Sequence, residues 1–197
     1  MEQKGQRPDT ALLVLDLQLN FISHIKKGLD ILLKNTAAAI EKARAAKIPV
    51  IYVIVKFREG LVDINPKNKL FSRLLSSGDT FTEAGKLCEV HPTVAPLPGD
   101  IIVIKKRVSP FTGTDLDVIL KSLGIAHLAL TGISTSGVVL STVRDGGDRD
   151  YQLTVLSDCV ADNRDEVSQV LLETLFPMQA DVITSENWLT KTETQTQ

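Results

Sequence analysis

Six short apolar runs rich in β-branched residues recur along this chain with longer helix-like stretches between them, and that alternation restricts the fold more than any other feature. The runs occupy residues 11–16, 49–55, 101–106, 127–131, 152–157 and 180–184. Near-continuous apolar strands belong to sheets covered on both faces, and strands alternating with helical patterns indicate βαβ units. The spacing therefore predicts six strands in a parallel sheet.

The stretches between the runs have the matching periodicity. Residues 29–47 place Leu32, Leu33, Ala37, Ile40, Ala43 and Ala46 near a 3.6-residue period, and Ile48-Pro49 ends the helix. A second helix is predicted over 115–123, with Thr114 as its N-cap and Gly124 as its stop. Residues 135–149 and 164–175 supply the remaining crossovers. Right-handed connection of such units gives a three-layer α/β/α sandwich. Residues 56–98 are the least regular part, with Asn65-Pro66, His91-Pro92 and Pro96-Leu-Pro-Gly99, and a long excursion of this kind often forms a lid.

Composition sets outer bounds on partners. With 197 residues, 43% hydrophobic content and no Gly/Ser/Pro-rich linker, one domain is expected, with its core over about 10–184 and flexible ends at 1–9 and 191–197. A net charge of −2 points away from nucleic acid and anionic membranes and toward a small neutral or mildly charged ligand. No apolar run approaches the length of a membrane span, and residues 1–10 lack the apolar segment of a secretory signal, so a cytoplasmic location is expected. Cys88 and Cys159 lack metal-ligand spacing and read as reduced thiols.

In parallel α/β sheets, ligands bind beyond the carboxyl ends of the strands, so polar residues closing strands are the first candidates for chemistry. Asp16 closes the first run, where a partly desolvated carboxylate can act as acid or base; it can equally cap a helix or turn. Lys105 closes the third, where an ammonium can hold an anionic group and polarise a substrate oxygen; a solvated strand-end lysine fits the pattern too. The turn Thr131-Gly-Ile-Ser-Thr-Ser-Gly137 joins a strand to a helix, where backbone N–H groups can face an anion or small hydroxyls can simply cap.

The order of three motifs is more specific than any one of them. Leu13-Val-Leu-Asp-Leu-Gln18 with Phe21, Lys105-Lys-Arg-Val-Ser-Pro-Phe111 with Gly113-Thr114-Asp-Leu116, and Thr131-Gly-Ile-Ser-Thr135 with Ser141-Thr142 together resemble the isochorismatase-like hydrolase superfamily, over about residues 10–184. The resemblance implies a central six-stranded parallel sheet of Rossmann type and frequent homo-oligomers whose subunits help close the pocket. It also implies an Asp–Lys–Cys triad in the amidase members, with Asp16 and Lys105 in the first two places. A non-proline cis peptide just before the nucleophile turn would fall at Ile133–Ser134. Gln18, Phe21 and Phe111, with Ile133, Ser134, Thr135 and Gly137 of the turn, are the implied substrate contacts.

The departure is at the nucleophile. The family pattern Thr-Gly-x-x-Thr-x-x-Cys reads here Thr131-Gly-Ile-Ser-Thr-Ser-Gly-Val138, and a valine cannot attack a carbonyl. Ser136 lies two residues away on a different side of the helix start, and Cys159 reads as a small buried hydrophobe. Metal-dependent relatives carry an Asp-x-His group after the second strand; Lys56-Phe-Arg-Glu-Gly60 has none, His24, His91 and His127 are scattered, and neither metal nor cofactor is expected. Removing a nucleophile from a cooperating triad costs about 10⁶ in turnover. Isochorismatases proper lack the cysteine and cleave a vinyl ether with water, the aspartate supplying acid catalysis. The resemblance thus implies a thiol-independent hydrolase of a small molecule using Asp16 and Lys105, or a catalytically silent domain that keeps the pocket for binding or oligomeric interaction.

Overall fold

All six apolar runs become strands of one sheet in the computed structural model, which describes residues 8–189. The strands are β1 (Thr10–Leu15), β2 (Val50–Val55), β3 (Ile101–Lys105), β4 (His127–Ile133), β5 (Gln152–Ala161) and β6 (Asp181–Ile183). Every pairing is parallel and the order is β3-β2-β1-β4-β5-β6. The expected flexible ends fall almost wholly outside the described residues.

The apolar character of the strands is explained by cover on both faces. On one face α2 (Leu29–Ala45) packs Leu32, Leu33, Ile40 and Ala43 with Leu12, Val14 and Tyr52. On the other, Leu13, Leu15, Ile51 and Val53 pack with α3 (Leu116–Leu123), α4 (Leu140–Gly147) and the segment after α5 (Asp165–Val170) through Leu116, Leu120, Val143 and Leu171. The three-layer α/β/α sandwich follows. Asp30 in the first turn of α2 and Lys42 and Arg44 in its last complement the helix dipole.

Several local features differ from the sequence expectation. Asp115 rather than Thr114 is the N-cap of α3; the Thr114 hydroxyl accepts the Leu116 N–H at 3.3 Å and donates to the Pro110 carbonyl at 2.5 Å. Gly124 does end the helix in the left-handed conformation. The helix expected from residue 135 opens with a wide π-helical turn, Thr135–Val139, before α4 begins. A one-turn helix, α1 (Leu19–Ile22), follows β1 directly. Residues 56–98 form a succession of short 3-10 turns joined to the body by isolated bridges at Gln18–Val90 and Phe57–Thr82.

The end of β5 has the largest consequence for the site. The register shifts between the pairs Leu130–Val155 and Gly132–Val160, so that Thr131 stands opposite residues 156–159. Past this irregularity β5 pairs again beside β4, reaching Ala161 opposite Ile133. Asp162 is thereby carried to the carboxyl end of the sheet.

Candidate active site

The strand order reverses between β1 and β4, and the carboxyl ends of those two strands bring the expected residues together. Asp16 follows β1 with a left-handed backbone (φ 53°), a conformation aspartate tolerates better than most residues. Lys105 ends β3. Their side chains meet across the intervening strand end, with Nζ 2.8 Å from Oδ2, and both residues are buried, 2% and 5% exposed respectively for Lys105 and Asp16. The Ile133–Ser134 peptide beside β1 is cis.

Each donor of the Lys105 ammonium has an acceptor. Besides Asp16 it donates to the carbonyls of Arg107 at 3.2 Å and Val108 at 3.0 Å, matching the three N–H bonds an ammonium can make. A direct grip on an anionic substrate, one of the sequence expectations, therefore has no donor to use. The carbonyl-bearing turn is itself tied to α4, since the Ser109 hydroxyl donates to Asp145 at 2.5 Å. Asp16 is less fully engaged: Oδ1 is sealed from solvent and has no hydrogen-bond partner. Burial raises the Asp16 pKa above the ordinary 3.8, and the charge of and hydrogen bond from Lys105 pull the other way without cancelling it. A buried carboxyl with one free oxygen and a raised affinity for its proton is suited to proton transfer.

In the turn between β4 and α4 three backbone N–H groups already have internal acceptors. The Ser136 N–H and hydroxyl both donate to Asp162 Oδ2, at 2.8 and 2.6 Å, while the Gly137 and Val139 N–H groups donate to the Ser134 carbonyl. An internal carboxylate thus occupies this helix start. A Cβ at Gly137 would stand 2.6 Å from Ser134 Oγ, so a larger residue there would need that hydroxyl to rotate away.

A cavity of about 300 Å³ opens beside the cis peptide. It is lined by the apolar Phe21, Ile25 and Ile133 and by the polar Ser134, Ser136 and Asp162, together with the exposed His24 and Asn163. Of the expected substrate contacts, Phe21, Ile133 and Ser134 line this cavity. Gln18 does not. It is fully buried, with its amide donating to the Val55 and Cys88 carbonyls and accepting the Val55 N–H, so it ties β1 to the end of β2 and to the irregular segment. Phe111 stacks on Tyr151 with Arg149 over its ring, and Thr135 shares a hydrogen bond with Ser168. Val138 is 2% exposed and packs in the core with Phe111, Val139 and Val143.

Both cysteines are buried and free. Cys88 Sγ donates to the Thr80 carbonyl at 3.2 Å, and burial pushes its pKa up. Burial, with Asp158 beside it, pushes Cys159 up to about 12. Of the histidines, His91 accepts the Thr93 N–H and His127 pairs with Thr154 at the opposite end of the sheet. Among the described residues no three His, Cys, Asp or Glu side chains gather as a metal site, and no helix is long and apolar enough to cross a membrane.

Sequence reasoning missed Asp162. The criterion that selected Asp16 and Lys105, a polar residue closing a strand, selects Asp162 as well once β5 is known to run to Ala161.

A parallel sheet of this order, a buried Asp–Lys pair and a cis peptide at the switch point are accompanied by a direct family match. The isochorismatase domain profile matches residues 10–187, and the chain belongs to the isochorismatase family. A ureidoacrylate amidohydrolase (RutB) of Pantoea ananatis is 34% identical over 186 aligned residues, which cover 81% of this chain and 72% of the relative. Among solved structures, an isochorismatase family protein from Burkholderia thailandensis superposes with a TM-score of 0.81 at 28% identity, over 92% of this chain and 94% of its own. A cysteine hydrolase from Pseudomonas syringae pv. phaseolicola gives 0.83 at 25% identity, over 91% and 90%.

Proposed function

We propose that this chain hydrolyses a small molecule without a thiol nucleophile, with Asp16 as the acid–base group and Lys105 as its electrostatic support. The observation that carries the proposal is the buried Asp16–Lys105 pair in which Oδ1 alone lacks a partner. Protonated Asp16 delivers its proton from Oδ1 to the substrate, and water adds to the resulting electron-poor centre. The proton released by that water returns to Asp16, and the adduct then breaks its bond to the leaving oxygen or nitrogen, which takes the proton of the added hydroxyl as the carbonyl forms. Between the two transfers the carboxylate is held by Lys105 at 2.8 Å, which limits the cost of forming the charge in a buried place. On this reading Val138 stands where the family motif has cysteine, and what supports it is that neither Cys88 nor Cys159 has the exposure and lowered pKa of a reactive thiol.

The test is turnover of a panel containing isochorismate, ureidoacrylate and other small vinyl ethers, ureides and amides, with the wild type and a Cys88→Ala/Cys159→Ala double variant. Equal rates are expected from the two proteins. A double variant that stays folded yet loses turnover would restore a thiol mechanism. The homo-oligomer implied by the resemblance belongs to this proposal, and sedimentation velocity of the full chain tests it.

One observation favours a second reading, a silent ligand-binding domain: Asp16 Oδ1 is sealed and neither Asp16, Lys105 nor Val138 lines the cavity. On that reading a panel member raises the melting temperature and is recovered unchanged. On the hydrolytic reading it is consumed.

A further inference from the structure

Asp162 is buried, 6% exposed, and lines the cavity beside the cis peptide. Both bonds it receives come from Ser136, and both arrive at Oδ2. None of the ion pairs among the described residues includes it. A carboxyl group removed from water favours a cationic or N–H donor partner, and the donors it has here are two dipolar groups of one residue. Asp162 is among the residues that line the cavity, and no hydrogen bond from the described residues is directed at its Oδ1.

The neighbouring hydroxyl reinforces the polarity. Ser136 has committed its only proton to Asp162, so its Oγ offers lone pairs alone to anything else in the cavity. The walls contributed by Phe21, Ile25 and Ile133 are apolar and screen a charge poorly. The interior therefore presents hydrogen-bond acceptors and a carboxyl group that takes part in no ion pair among the described residues, with His24 in the same lining.

We infer that Asp162, with Ser136, is a recognition site for a cationic N–H-bearing group on the ligand, such as an amidinium or guanidinium head. The assignment adds a specificity determinant to the proposed function and rests on this cavity being where its substrate enters. It requires binding and no turnover, so its failure and the failure of the Asp16 mechanism are separable. Asp162 touches no reacting atom in that mechanism and acts on selection alone.

The experiment titrates the full chain with three probes of nearly one shape, benzamidinium, benzamide and benzoate, followed by amide chemical shifts of Ser134, Ser136 and Asn163. The wild type should bind benzamidinium about tenfold more tightly than benzamide, with benzoate weaker again. Asp162→Asn keeps an oxygen for the Ser136 donors and removes the charge, and it should erase the preference. The wild-type ranking needs no variant, so the inference stays open to refutation if the substitution impairs folding. Equal affinities, a preference for benzoate, no binding of any probe, or a benzamidinium preference that survives Asp162→Asn would each overturn it.

Discussion

At the scale of single residues, what a strand end contains decides the chemistry. Asp16 and Lys105 were legible because each is a polar residue that interrupts an otherwise apolar run, and a charge in such a place must find a partner or keep its proton. What the sequence could not convey is how completely the pair would be enclosed. Gln18 illustrates the same limit from the other side. Its motif position suggested a ligand contact, but a buried amide must satisfy its own donors and acceptor, and the broken ladder at Val55 does so. For Asp16 the consequence is measurable. The native fold holds its proton more tightly than the unfolded chain does, so the stability this residue contributes is full below the unfolded value of 3.8 and is lost as pH rises through the higher native value. A carboxyl-carbon chemical-shift titration of Asp16 should give a midpoint above 3.8. A midpoint at or below it would mean that Lys105 outweighs burial.

At the scale of elements, periodicity revealed all six strands and the long helix α2, since each presents a face or a run to a core. Elements without such a pattern stayed hidden. α1 spans a single turn, and the 3-10 turns within 56–98 follow local hydrogen bonds that leave no period. The distal half of β5 was lost for a specific reason: Ser157-Asp158-Cys159 breaks the apolar run where the register shifts, which hides both the continuation to Ala161 and the importance of Asp162. β4 has its own constraint. Gly132 adopts φ 127°, and a Cβ there would stand 2.0 Å from the Leu15 carbonyl oxygen. Gly132→Ala should therefore destabilise the fold by about 3 kcal/mol or more by pushing β1 from β4 beside Asp16, read as a fall in urea midpoint. A variant as stable as wild type would contradict the close packing.

At the scale of the whole molecule, the two large cores share the same strands, Leu13 and Leu15 facing one and Leu12 and Val14 the other, so neither face can melt without exposing the sheet. We propose that the chain unfolds as one domain. Calorimetry should give a single transition whose calorimetric and van't Hoff enthalpies agree, and two resolved transitions would count against it. The same architecture sets the Asp–Lys pair, the cis peptide and the cavity at the sheet's switch point, independent of which residue stands at position 138. On the proposed mechanism, chemistry without a thiol depends on Asp16. The most direct measurement compares the initial rate of the best substrate in the panel with wild type and Asp16→Asn, each shown to be folded. The account predicts a loss of about 10²–10⁴-fold in turnover, the usual weight of a positioned acid. Equal rates would contradict it.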